Sequence, residues 1–133
     1  MAQVSRKGIL AIAAVIDVAI NANSRPVSAK ALAVRHKLPP RHLEPVLQAL
    51  VRDGILRGVR GPRGGYQLGR EHSSISVEDI LRCAGDAEDL PLPNSPLVND
   101  VVRPALSEAE LVFSSALGRI NIQEMAERAV TLK

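Results

Sequence analysis

The stretch VRGPRGGYQLGR, Val59 to Arg70, places four glycines, one proline and three arginines in twelve residues. A glycine-rich loop cradles a nucleotide's phosphates when it opens straight into a helix, because backbone N–H groups and the helix dipole then point at the anion. Here Tyr66, Gln67 and Leu68 alternate apolar and polar as a strand does, and Ile55 to Val59 on the other side is β-branched and aliphatic. No Gly-Lys-Ser/Thr follows, and the glycine spacing is not that of a dinucleotide fingerprint. The stretch therefore reads as the tip of a β-hairpin carrying a basic finger.

Working outward, the segment before the hairpin holds three helical patterns. Gly8 to Ala22 is apolar on two faces, with Ile9, Ile12, Ile16 and Ile20 on one and Leu10, Ala14 and Val18 on the other. A helix of that kind needs cover on both sides. Ser28 is an N-cap for a short helix to about His36. Pro39 or Pro40 opens a third, with Leu43, Val46, Leu47, Leu50 and Val51 as its apolar stripe and Gly54 as its stop. Three helices followed by a hairpin is the order of a winged helix-turn-helix.

Downstream, Ser76 and Asp79 form a capping box, and Ile75 with Ile80 a hydrophobic staple, for a fourth helix ending at Gly85. GDAEDLPLPNSP, Gly85 to Pro96, is acidic and proline-rich and reads as a loop. Val98, Val101, Ala105, Ala109, Val112 and Ala116 then recur at helical spacing over about five turns. That stripe exceeds what one appended helix can hide, and its natural cover is the same helix of a second copy. Pro104 either kinks this helix or marks its true first turn. A last helix begins near Asn121, with Glu124 three residues on and Ile120 facing Met125 as a staple. The expected fold is mainly α with a small β-hairpin: a winged helix-turn-helix domain over residues 1–85, an acidic loop over 86–97, and a dimerisation helix plus C-terminal helix over 98–133.

Charge divides the 133-residue chain the same way. Residues 1–70 carry a net +9 and residues 71–133 a net −6, within an overall +3. A basic half suits counterion release from a polyanion, although a merely solvated basic face is the alternative. Aromatic residues make up 2% of the chain, so it has no platform for stacking single-stranded bases, and any nucleic acid partner should be duplex. The single cysteine, Cys83, excludes an intramolecular disulfide and fits a reducing compartment. Asp17 interrupts the run GILAIAAVIDVAI, which is too short to span a membrane and lacks a following cleavage site. A cytoplasmic protein with no membrane association is expected.

The run RHLEPVLQALVRDGILRGVRGPRGGYQLGREHSSISVEDILRCAG, Arg41 to Gly85, resembles the Rrf2 family of bacterial transcription regulators. SRKGILAIAAVIDVA, Ser5 to Ala19, resembles that family's first helix, and GRINIQEM, Gly118 to Met125, the turn after its dimerisation helix. The resemblance implies a winged-helix homodimer on a roughly palindromic operator. It implies that Arg60 enters the minor groove, and that Arg41, His42 and Glu44 begin the recognition helix. Arg63 stands where the family usually has glycine, and Pro45 where it has a polar residue. Cluster-binding members of the family carry three cysteines between the fourth helix and the dimerisation helix, and Ala84 to Leu97 contains none here. No cofactor is therefore expected, and any switch would lie in an unidentified effector or partner at the loop and dimer interface.

The candidate DNA-contacting set is Arg41, His42, Glu44, Arg60 and Arg63, with Ser28 and Lys30 at the start of the second helix. At a recognition helix, arginine pairs with guanine and a carboxylate accepts from cytosine, while the plainer roles are phosphate contact for Arg41 and dipole complement for Glu44. His36, His42 and His72 lack metal-ligand spacing and read as surface or phosphate-contacting residues. Ser73, Ser74 and Ser76 read as turn and cap residues. Cys83 reads as a small buried hydrophobe, with a redox role as the alternative. No nucleophile, base and orienter can be assembled, which argues against an enzyme. The remaining alternative to a DNA-binding regulator is a module that only docks on a partner protein.

Overall fold

In a computed structural model that describes residues 6–21, 25–84 and 95–132, the first helix, α1 (Arg6–Ile20), is the element around which the others assemble. It packs against α3 (Pro40–Arg52), α4 (Val77–Ala84) and α6 (Ile122–Val130). Ala11, Ala14, Val15, Val18 and Ala19 are buried, and small residues there let the neighbouring helices approach closely. On the other face Ile12 and Ile16 are half-buried against the core, while Ile9 is 58% exposed and Ile20 44%. One of the two expected apolar faces is thus covered by the chain itself and the other only in part, its ends being left open.

The second helix, α2 (Ala29–His36), starts where Ser28 Oγ accepts from the Ala31 N–H at 3.0 Å. Its end is less ordinary. Lys37 takes a left-handed conformation, φ +56°, so that its N–H reaches the Val34 carbonyl and the Leu38 N–H the Ala33 carbonyl. This is a Schellman turn built on a residue with a Cβ, which costs about 1 kcal/mol relative to glycine. α3 ends on the same motif with the residue that suits it. Gly54 has φ +79°, its N–H bonds Val51, and the Ile55 N–H bonds Leu50.

α3 buries Leu43, Val46, Leu47, Ala49 and Leu50, whereas Val51, expected in the stripe, is 36% exposed. At 100° per residue Val51 falls on the edge of the stripe rather than inside it. The helix runs unbroken through Pro45. Proline there removes the donor to the Arg41 carbonyl and crowds the preceding turn, on the solvent side of the helix one turn from its start.

The hairpin pairs β1 (Leu56–Val59) with β2 (Gly65–Leu68) antiparallel, Leu56 opposite Leu68 and Val59 opposite Gly65. Val27 adds a third, single-residue rung: Val27 and Tyr66 exchange N–H···O bonds of 3.0 and 2.8 Å. Gly65 permits this approach, since a Cβ on it would lie 2.5 Å from the Val27 carbonyl oxygen.

Beyond a 3-10 turn at His72–Ser74, in which Ser74 Oγ donates to the Glu71 carbonyl, α4 begins on its capping box. The Ser76 N–H donates to Asp79 Oδ2 at 3.1 Å and the Asp79 N–H to Ser76 Oγ at 3.0 Å. The loop assigned to Gly85 to Pro96 lies outside the described residues up to Asn94. A π-helical turn, Val98–Val102, leads without a break into α5 (Arg103–Gly118), and Pro104 lies in the first turn of α5 directly after it. α6 begins at Asn121, whose side chain accepts from the Glu124 N–H at 2.9 Å. Ile122 and Ala126 return to the core shared by α1, α2 and α3. The return is stitched by the Val77 N–H to the Ile120 carbonyl and the Ile122 N–H to the Ile75 carbonyl.

The two turns give opposite expectations. Lys37→Gly should raise stability by up to about 1 kcal/mol by removing the left-handed strain, and Gly54→Ala should lower it by about the same. Urea midpoints of the two variants against wild type measure both.

Candidate nucleic-acid interface

The turn Lys37–Pro39 sets α3 across α2, leaving the outer side of α3 free. Around the helix, Arg41, Pro45, Gln48 and Arg52 follow one another at i, i+4, i+7 and i+11, directly opposite the buried Leu43 and Leu50. All four are exposed. His42 and Glu44, also exposed, flank this ridge on either side rather than crown it. Gln48 and Arg52 lay outside the sequence-derived set. Their i+7 and i+11 spacing from Arg41 is the signal for them in the sequence.

The wing tip is the turn Gly61-Pro62-Arg63-Gly64, closed by the Gly64 N–H on the Gly61 carbonyl at 2.9 Å. Pro62 sets the φ of the second position, and Arg63 does not take the positive φ a type II turn would demand. Arg60 and Arg63 are both exposed on this tip. Behind them, Arg57 Nη2 donates to Gln67 Oε1 across the strands at 3.0 Å.

Because Val27 is bonded to β2 and Ser28 caps α2, the wing and the start of α2 are one rigid piece. Lys30 lies exposed on the first turn of α2, while Ser28 is half-buried with its hydroxyl oxygen engaged by the cap. The structure thus places Arg60 and Arg63 on the wing, Arg41, His42 and Glu44 on α3, and Lys30 beside the wing root.

Ion pairing separates the arginines by location. Arg35 pairs with Asp17, Arg70 with Asp79, and Arg82 with Glu78 and Asp79. Among the described residues, no carboxylate pairs with Lys30, Lys37, Arg41, Arg60 or Arg63, which leaves uncompensated positive charge along α2, α3 and the wing. Such a stripe is the electrostatic footprint of a polyanion site.

Two sequence expectations need correction. His36 is not a surface residue. It is half-buried, and its Nε2 lies 3.3 Å from Asp17 Oδ2 without hydrogen-bond alignment. Asp17, with only 10% of its side chain exposed, meets Arg35 and His36 of α2 and the Asn21 amide. The acid that interrupts the apolar run of α1 is there to hold α2. Cys83 is half-buried rather than fully buried, and it is more than a hydrophobe, since its thiol donates to the Ala49 carbonyl of α3 at 3.0 Å.

The family model Rrf2, described as an iron-dependent transcriptional regulator, matches residues 4–128. The chain is 33% identical over 87 residues to the helix-turn-helix regulator IscR of Escherichia coli, covering 65% of this chain and 54% of that protein. It spans little more than half the length of the curated relatives it matches. Among solved structures, T. potens IscR superimposes with a TM-score of 0.77 at 31% identity, over 96% of this chain and 88% of that one. Staphylococcus aureus CymR does so with 0.74 at 27%, over 92% and 97%. With the family model covering nearly its whole length, the chain belongs to the Rrf2 family of transcriptional regulators.

Proposed function

We propose that this chain is a sequence-specific, duplex-DNA-binding transcription regulator that acts as a homodimer on a palindromic operator. The observation that carries the reading is the unpaired positive charge shared by the wing tip and the exposed ridge of α3. Arg60 enters the minor groove, where a narrow groove concentrates negative potential, and Arg63 adds phosphate attraction at the tip. Arg41 and Gln48 are the types that pair with guanine and adenine edges, Glu44 accepts from cytosine, and His42, Lys30 and Ser28 meet the backbone. Arg60→Ala should cost on the order of 1–3 kcal/mol of operator binding, and Arg63→Gly should mainly flatten the salt slope. Titrations of both variants across a salt series test this. If neither changes, and wild-type binding to random duplex shows no salt dependence, the chain is a protein-docking module instead.

Dimerisation is supported by what α5 and the π-helical turn before it leave uncovered. Val101 is 59% exposed, Leu111 71% and Val112 70%, and Ala105, Ala109 and Ala116 lie open beside them. With Ile9 and Ile20 of α1 they form apolar surface that a monomer would leave in water. A second copy, paired about a two-fold axis, covers it and sets two reading heads on one operator. Val101→Glu combined with Val112→Glu should convert the dimer to a monomer and abolish operator binding, as read by light scattering at micromolar concentration and by gel shift.

The family's description invokes iron, and the residues here do not fit a thiolate-held cluster. The chain has one cysteine, and among the described residues no three His, Cys, Asp or Glu side chains converge as a metal would need. Burial, reinforced by Asp53, pushes the Cys83 thiol up to about 11, so at neutral pH it stays protonated. Its folded value lies above the ordinary 9.0, so the stability it contributes is complete below about pH 9 and is lost as pH rises to about 11. The stability advantage of wild type over Cys83→Ala should shrink across that window in urea titrations. Protein purified without oxygen should carry no stoichiometric iron and sulphide, and Cys83→Ser should bind operator as wild type does.

A further inference from the structure

The ridge of α3 contains a residue that helix stability alone does not account for. Proline in a helix interior forfeits a backbone hydrogen bond and crowds the preceding turn. Such a cost is ordinarily offset by packing, yet Pro45 is exposed and belongs to no part of the core. It lies one turn after Arg41 and one turn before Gln48, on the line furthest from the buried Leu43 and Leu50. On the reading of α3 as the recognition helix, that line enters the groove most deeply.

The chemistry of the ring then restricts what it can face. Proline offers no donor and no acceptor from its side chain, and its own backbone nitrogen carries no hydrogen. Against the edges of guanine, cytosine or adenine it would strip water from a polar atom and return nothing. The one apolar feature in the major groove is the C5 methyl of thymine. We propose that Pro45 is a specificity-determining residue, packing its ring on a thymine methyl at a base pair between those approached by Arg41 and Gln48. This rests on the DNA-binding reading above and goes beyond it by assigning the base class at one position of each half-site.

The test begins with selection of an operator from a random duplex library by the wild-type protein. Each thymine of the selected duplex is then replaced by uracil, which removes only the methyl. One position per half-site should lower wild-type affinity about four-fold, the worth of one buried methyl-sized group. Pro45→Ser, which regains the helical N–H and is expected to fold at least as well as wild type, should bind thymine and uracil duplexes equally at that position. Pro45→Gln, put through the same selection, should no longer enrich thymine there. A selected operator with a flat uracil scan, or an equal uracil penalty in wild type and Pro45→Ser, overturns the assignment and leaves the DNA-binding reading intact. Failure of the wild type to enrich any sequence, together with salt-independent binding to random duplex, overturns both.

Discussion

Two hydrogen bonds between Val27 and Tyr66 govern the relation between the wing and the helices. A two-stranded hairpin is marginal in water and would not by itself hold a fixed direction. The Val27 rung ties it to the residue just before the α2 cap, so the wing root, the cap and α2 move as a unit. The constraint is demanding at one position, because Gly65 must lack a side chain for the backbones to come together. It also explains the glycine density of Val59 to Arg70. Gly64 closes the tip turn where a Cβ would collide with the Val59 carbonyl, and Gly65 makes the contact with Val27, so these glycines position arginines rather than bind an anion themselves.

The same logic of local contact deciding global placement applies to charge. Asp17 would be costly in an apolar helix without a partner, and Arg35 and His36 supply one. Asp79 serves twice, capping α4 through Ser76 and meeting Arg70 and Arg82. The acids of the body thus occupy the arginines nearest to them and leave the cations of the wing and α3 facing solvent. Surface ion pairs contribute little stability. Their effect here is on the direction of the field.

Much of the architecture was legible because its signals are local. Ser28, the Ser76/Asp79 box and Asn121 with Glu124 act within four residues of themselves, and each makes the hydrogen bond its spacing implies. Gly54 marks a helix end for the same reason, and Pro104 the junction between the π-helical turn and α5. What stayed hidden depends on partners distant in sequence. Nothing about Val27 announces a rung to Tyr66, and nothing about Asp17 announces Arg35. Ile122 and Ala126 read as an appendage after α5, yet they complete the core under α1. Lys37 was illegible for another reason: a left-handed turn normally declares itself by glycine, and lysine does not.

That return of α6 bears on how two copies would share an operator. The end of α5 is clamped, since Ser76 and Asn121 pair as a bridge and the backbones of Ile75, Val77, Ile120 and Ile122 are bonded across it. A helix free at that end could swing on its connection, and the distance between two reading heads would vary with it. The clamp fixes α5 against α4, and α4 lies against α3 through the Cys83 thiol on the Ala49 carbonyl. With α5 as the proposed dimer helix, half-site spacing is then set by packed helices rather than by a flexible linker. Helix-turn-helix dimers place their half-sites about one DNA turn apart, roughly 34 Å, a separation that only a rigid connection can specify. The Cys83 thiol thus sits on a direct path of contacts from α5 through α4 to α3, the proposed reading helix. A polar bond there, in place of an apolar contact, gives that path a fixed register.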